Sequence, residues 1–189
     1  PFGFGMSYTD FEITGSVKNV DENSVIVDTA VKNTGDCSGK EVVQVYIEAP
    51  QGKLGKPARE LKAFAKTKEL APGEKQKMTL RIPVKNLASY DDSGVTGHKS
   101  CYVSEAGAYV LHVGNSVRNT KIADVDGKGA YIVKELCVTE ALQEALAPTE
   151  AFERIRPGQS REDGSYQQEK EAVPQRHQDH LRLSGKGKN

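Results

Sequence analysis

The chain has 189 residues, enough for one ordinary domain with a real core plus an extension. Its 26 basic residues balance 26 acidic ones, so charge gives no reason to expect nucleic acid or an anionic membrane as partner. No apolar run approaches membrane-spanning length, and Cys37, Cys101 and Cys137 suit neither a disulfide framework nor a zinc site, so a soluble protein with reduced thiols in the cytoplasm is expected.

The opening, Pro1-Phe-Gly-Phe-Gly-Met-Ser-Tyr-Thr-Asp-Phe11, has no strand pattern. Its glycines permit tight turns, and its rings at Phe2, Phe4, Tyr8 and Phe11 offer apolar surface to a neighbour. A seam between domains is the expected context, with residues 1–10 as an interdomain linker.

From Phe11 to about Val113 short alternating runs are separated by turn residues. Over Ser24 to Asn33, Val25, Val27, Thr29 and Val31 share one face, and Asp28 and Lys32 the other. Glu41 to Ala49 is apolar on both faces at several positions, the mark of a central strand. Pro50 to Pro57, rich in Gly, Lys and Pro, is a loop. Glu60 to Thr67 carries Leu61 and Phe64 at an odd spacing that predicts a bulge. Ala71-Pro-Gly-Glu74 has the chemistry of a tight turn.

Met78, Leu80 and Ile82 alternate inward until Pro83 ends their strand. Asn86 to Tyr90 reads as a connecting turn. Two last strands flank Glu105-Ala-Gly107, the second placing Tyr109, Leu111 and Val113 on one face. About seven short strands at even spacing predict an all-β, immunoglobulin-like sandwich over residues 11–119.

After Asn119 the character changes. Ala130 to Val138 suggests one further strand, and Thr139 is placed to cap a short helix, Glu140 to Leu146, ended by Pro148. The remainder of the extension, residues 120–189, has few apolar residues and no sustained period, so a largely irregular, extended path is expected.

Several blocks in this chain resemble those of glycoside hydrolase family 3, which includes β-glucosidases. The opening resembles the motif that links that family's catalytic part to its fibronectin type III-like domain, with Met6 in place of Leu. Val31 to Gly35, Gly39 to Tyr46, Arg59 to Phe64, Leu70 to Glu74, Asn86 to Asp91 and Gly107 to Gly114 follow in the family's order. The segment after Asn119 resembles, more loosely, the connector of permuted members in which the sandwich precedes the barrel.

The resemblance implies a non-catalytic accessory domain of a retaining β-glucosidase that cleaves terminal β-glucosyl units. It implies neither metal nor organic cofactor. The implied partners are the catalytic barrel and α/β sandwich of the same enzyme, which bind most of the carbohydrate substrate. In the family the nucleophile and the acid/base belong to those domains, so no catalytic residue is carried onto this chain.

Candidate contacts with the other domains are Phe2, Phe4, Tyr8, Phe152 and Tyr166, with Ile155, Leu181 and Leu183 as further anchors. Lys53 and Lys56, on the loop Pro50 to Pro57, are candidates for reaching an adjoining active site. A stand-alone β-sandwich interaction or adhesion module is the alternative reading.

Other chemistry is poorly supported by the residues. Asp91-Asp92 and Glu162-Asp163 are adjacent carboxylates that read as solvated turn acids, lacking the facing geometry glycoside hydrolysis needs. Asp124 to Gly129, with Glu135, has only part of a calcium loop's ligand spacing. His177 and His180 sit three apart without an evident third ligand for a metal enzyme, and His98 and His112 lack a nucleophile–base–orienter set. Without Trp, and with Tyr46, Tyr90 and Tyr109 expected to be buried, an independent sugar-binding platform is disfavoured. Tyr102 and Tyr131 are the rings open to exposure.

Overall fold

The computed structural model describes residues 1–20, 23–125, 129–142 and 153–172. Its strands are β1 (Phe11–Val20), β2 (Ser24–Asn33), β3 (Val42–Glu48), β4 (Glu60–Lys66), β5 (Lys75–Pro83), β6 (Ser89–Asp91) and β7 (Cys101–Ser104). They continue as β8 (Gly107–Gly114), β9 (Thr120–Ile122), β10 (Tyr131–Val133), β11 (Cys137–Ala141), β12 (Glu153–Ser160) and β13 (Tyr166–Ala172).

Two antiparallel sheets make the sandwich. One runs β1-β2-β5; the other runs β10-β8-β3-β4, with β9 also on β8. Period-two alternation dictates what lies between them. Val25, Val27 and Val31 of β2 and Leu80 and Ile82 of β5 meet Val43, Val45 and Ile47 of β3 and Tyr109, Leu111 and Val113 of β8. Thr29 shares the inward face and avoids an unmet hydroxyl by donating to the Met78 carbonyl at 3.1 Å. β3 is central, paired on both edges, and is buried on both faces as its composition predicts.

The bulge expected near Phe64 is present. Val45 pairs with Ala63 and Tyr46 with Leu61, leaving Lys62 as the extra residue. The turn Ala71 to Glu74 closes with Glu74 N–H donating to the Ala71 carbonyl at 2.9 Å, and Gly73 adopts φ 79°, where a side chain would be strained. Tyr109 is fully buried and donates its hydroxyl to the Glu105 carbonyl at 3.1 Å, in the manner of a tyrosine corner.

Two local expectations are corrected. The connecting turn at 86–90 divides into a 3-10 turn over Val84–Leu87 and the short strand β6, because Ser89 to Asp91 find a pairing edge on β7. Thr139 caps no helix. It lies inside β11, donating its hydroxyl to the Tyr102 carbonyl at 3.2 Å, and Glu140 and Ala141 pair with β7. The open edge of β7 overrides the local capping signal. Residues 143–146 of the expected helix lie outside the described residues.

The one strand expected over 130–138 is two, β10 on β8 and β11 on β7, and in the extension, in place of the expected irregular path, β12 and β13 form their own hairpin. Arg156 bridges Glu169 at 2.9 Å and Glu171 at 3.4 Å across it. Near the hairpin turn, Arg118 pairs with Asp163 at 3.7 Å.

Candidate interdomain surface

The outer face of the β10-β8-β3-β4 sheet carries the opposite set of each strand's residues. By register, Gln44 of β3 stands opposite Phe64 of β4, and Tyr46 opposite His112 of β8, which in turn faces Ile122 of β9. Phe64, Ile122 and Ile132 are left exposed there, Phe64 at 68%. The odd spacing of Leu61 and Phe64 signalled the bulge, which sets both opposite outward residues of β3, Tyr46 and Gln44.

Residues 1–10 form a strap that starts on this face and is tied at its far end to Asn33, at the end of β2 in the other sheet. At the first end the Phe2 carbonyl accepts from Val117 N–H at 3.0 Å, and the Gly3 carbonyl accepts from Gln44 Nε2 at 3.1 Å. The Phe2 ring meets Tyr46 edge-on, centroids 6.5 Å apart. Tyr46 donates to Gln44 Oε1, and burial raises its pKa.

At the second end Thr9 donates to Asn33 Oδ1 at 2.7 Å, and Thr34 N–H donates to the Asp10 carbonyl at 2.8 Å. Asn33 is fully buried, and its amide also donates to the Cys37 and Leu70 carbonyls at 2.7 and 2.9 Å. One side chain thereby joins strap, sheet and turn.

Between these anchors Phe4, Met6 and Tyr8 project into solvent, Met6 at 94% and Tyr8 at 100% exposure. These apolar side chains lie on a segment anchored at both ends rather than collapsed onto the core, and exposed apolar patches of this kind are candidate interaction surfaces. Phe2, Phe4 and Tyr8 thus share one strap. Tyr166 is half-buried on the separate hairpin, and Ile155 is exposed there. Phe152, Leu181 and Leu183 lie outside the described residues. Met6, Phe64, Ile122 and Ile132 join the surface without having been singled out from sequence. Only the bulge signal for Phe64 could have found one of them.

Beneath the face, His112 is buried and lies 3.0 Å from Glu48 Oε2. Burial and the nearby Arg59 charge pull its pKa below the ordinary value, against the opposing pull of Glu48. It is a neutral packing residue at pH 7.

The two lysines of the loop 50–57 part company. Lys53 is exposed. Lys56 is turned inward and buried, its ammonium 2.7 Å from Glu105 and donating to the Pro50 carbonyl at 2.9 Å, so it cannot reach outward as the sequence suggested.

Asp91 is no solvated turn acid either. It is fully buried, and its carboxylate accepts from the N–H groups of Gly94, Val95 and Thr96 at 2.7, 3.2 and 2.8 Å. The hydroxyls of Thr96 and Ser93 add bonds at 2.6 and 3.2 Å. Burial alone would raise this carboxyl, but the donors more than offset it and hold it below the ordinary range. A carboxylate so saturated organises its loop and has no capacity to act as a general acid. Asp163 is exposed and bonded to Ser165.

Tyr90, expected to be buried, is partly exposed beside Tyr102, with ring centroids 5.3 Å apart and planes tilted by 51°. The tilt denies a flat stacking platform. Residues 126–128 of the calcium-like loop, and His177 and His180, lie outside the described residues. Among the described residues no group of three or more His, Cys, Asp or Glu converges to hold a metal.

Comparison with known proteins agrees with the sandwich fold. The model of the fibronectin type III-like domain fits residues 41–117. A β-glucosidase of Ruminococcus albus is 46% identical over 155 residues, spanning 82% of this chain and 16% of that protein. β-Glucosidase A of Butyrivibrio fibrisolvens is 34% identical over 92% of this chain and 22% of its own length. The crystal structure of a β-glucosidase from Paenibacillus barengoltzii superposes with a TM-score of 0.80 at 55% identity, covering 93% of this chain and 20% of that one. The chain therefore spans about a fifth of the relatives it matches; it carries a fibronectin type III-like domain and is similar, through it, to family 3 β-glucosidases.

Proposed function

We propose that this chain is the non-catalytic support of a larger family 3 glycoside hydrolase, a retaining β-glucosidase that removes terminal β-glucosyl units. The strap and the outer sheet face dock onto the catalytic domains and fix them relative to one another. The carboxylates that form and break the glycosyl-enzyme bond sit in those domains, a reading supported by the buried carboxylates among the described residues being engaged: Asp91 in its loop and Glu105 with Lys56. The proposal places the enzyme in the cytoplasm, on the odd cysteine number alone.

The observation that carries this reading is the strap. Phe4, Met6 and Tyr8 are exposed on a backbone anchored at both ends. Burying each ring against a partner stabilises the assembly by about 1.5–3 kcal/mol. An aryl β-glucoside tests the division of labour. The complete enzyme is expected to release the aryl alcohol and the purified chain to release none; turnover by the chain alone overturns the assignment. A complete gene product with no catalytic domains would instead favour the stand-alone interaction module.

A further inference from the structure

The loop 50–57 is built around a buried ion pair. Glu105, on the turn between β7 and β8, accepts from Lys53 N–H at 2.7 Å and Leu54 N–H at 3.3 Å, and its other partner is the Lys56 ammonium at 2.7 Å. Gln51 clasps the Lys56 backbone in both directions, with bonds of 3.1 and 3.2 Å. Leu54 is buried under the loop. A Cβ on Gly52 would stand 2.4 Å from Glu105 Oε1, so a side chain there would displace the carboxylate that the loop wraps.

Well-packed apolar residues often stabilise a fold as much as a buried ion pair does, and such a pair is weak evidence for stability. What this one supplies is a single loop conformation. A fixed shape matters where the loop tip meets something. The tip is polar: Gln51, Gly52 and Lys53 are exposed, and its one large apolar side chain, Leu54, points inward. The strap has apolar anchors suited to a dry protein interface. This tip has its amides of Gly52, Lys53 and Leu54 already bonded within the loop and presents the Lys53 ammonium, a donor that suits a hydroxylated, hydrated ligand.

We propose that Glu105 and Lys56 are positioning residues that clamp the loop 50–57, so that the Lys53 ammonium hydrogen-bonds to hydroxyls of the glycoside held by the adjoining catalytic domain. This rests on the accessory-domain reading above. Lys53 binds and does not react, so its loss weakens substrate binding without changing the chemical step.

The test uses the complete enzyme with an oligosaccharide substrate. Lys53→Ala is expected to raise KM about ten-fold with kcat unchanged, the loss of one hydrogen bond from a charged donor. Glu105→Gln is expected to produce the same KM change and to speed amide exchange at Lys53 and Leu54. An unchanged KM in Lys53→Ala overturns the proposed contact. A raised KM in Lys53→Ala alone, or unaltered exchange in Glu105→Gln, overturns the positioning role. Lys53→Ala alters an exposed side chain and keeps the test decisive if Glu105→Gln fails to fold. Absence of turnover by the unmodified complete enzyme is the distinct failure of the accessory-domain reading, while the exchange measurement still reports on the clamp.

Discussion

Tyr109 and Tyr8 carry the same side chain in opposite surroundings. Tyr109 is sealed between the sheets with its hydroxyl on the Glu105 carbonyl, whereas Tyr8 stands fully exposed on the strap. The contrast extends to their neighbours. Leu111 and Val113 are buried beside Tyr109, while Phe4 and Met6 share the exposed row with Tyr8. The inner face completes a core within this chain; the strap is anchored at its ends and leaves Phe4, Met6 and Tyr8 uncovered, as the outer face leaves Phe64, Ile122 and Ile132. Apolar surface with a fixed backbone marks where the folding unit ends and the assembly unit continues.

That contrast can be tested by mutation. Leu111→Ala is expected to destabilise the isolated chain by about 2–5 kcal/mol in urea denaturation, because it opens a cavity in a packed core. Asn33→Ala is expected to cost about 1–3 kcal/mol by stranding buried partners. It should also speed amide exchange at Thr34, whose N–H bonds to the strap at Asp10, more than in β8.

The pH dependence has two ends. Asp91 titrates below its ordinary value of 3.8 in the folded chain. It contributes stability above that pH, which is lost as the pH falls through the folded value, and Asp91→Asn should flatten this acid limb. Tyr109 is pushed up to about 12 from 10.0, chiefly by burial and then by the Glu105 charge. Its contribution is full below pH 10 and is lost as the pH rises toward 12, which a denaturation series in pH would show.

The smallest effect belongs to the strap. Phe4→Ser and Tyr8→Ser should change the stability of the isolated chain by no more than about 0.5 kcal/mol, since neither side chain is buried. A loss comparable to that of Leu111→Ala would show that the row packs within this chain and would erase the contrast.

Much of the sandwich was legible because alternation is a local signal with a direct structural cause. The valines of β2, the inward set of β5, the doubly buried β3 and the bulge in β4 follow from spacing alone. Of the rings in the opening, Phe2, Phe4 and Tyr8 are exposed as their lack of a strand pattern suggests, whereas Phe11 begins β1 and packs against the core. What escaped depends on long-range pairing. Thr139 looks like a helix cap until β7 offers it an edge. Asp91 looks like a solvated turn acid until Gly94, Val95 and Thr96 fold their amides onto it. Lys56 looks like an outward loop lysine until Glu105, from a turn remote in sequence, draws it inward. Asn33 shows no sign of its role, because its side-chain partners Thr9, Gly35, Cys37 and Leu70 come from three separate segments.

Hydroxyl-radical footprinting of the isolated chain against the complete enzyme tests the central claim most directly. Phe4, Met6, Tyr8 and Phe64 should be strongly labelled in the isolated chain and several-fold protected in the complete enzyme, while Leu111 stays protected in both. Equal labelling of the strap in the two forms would contradict the account.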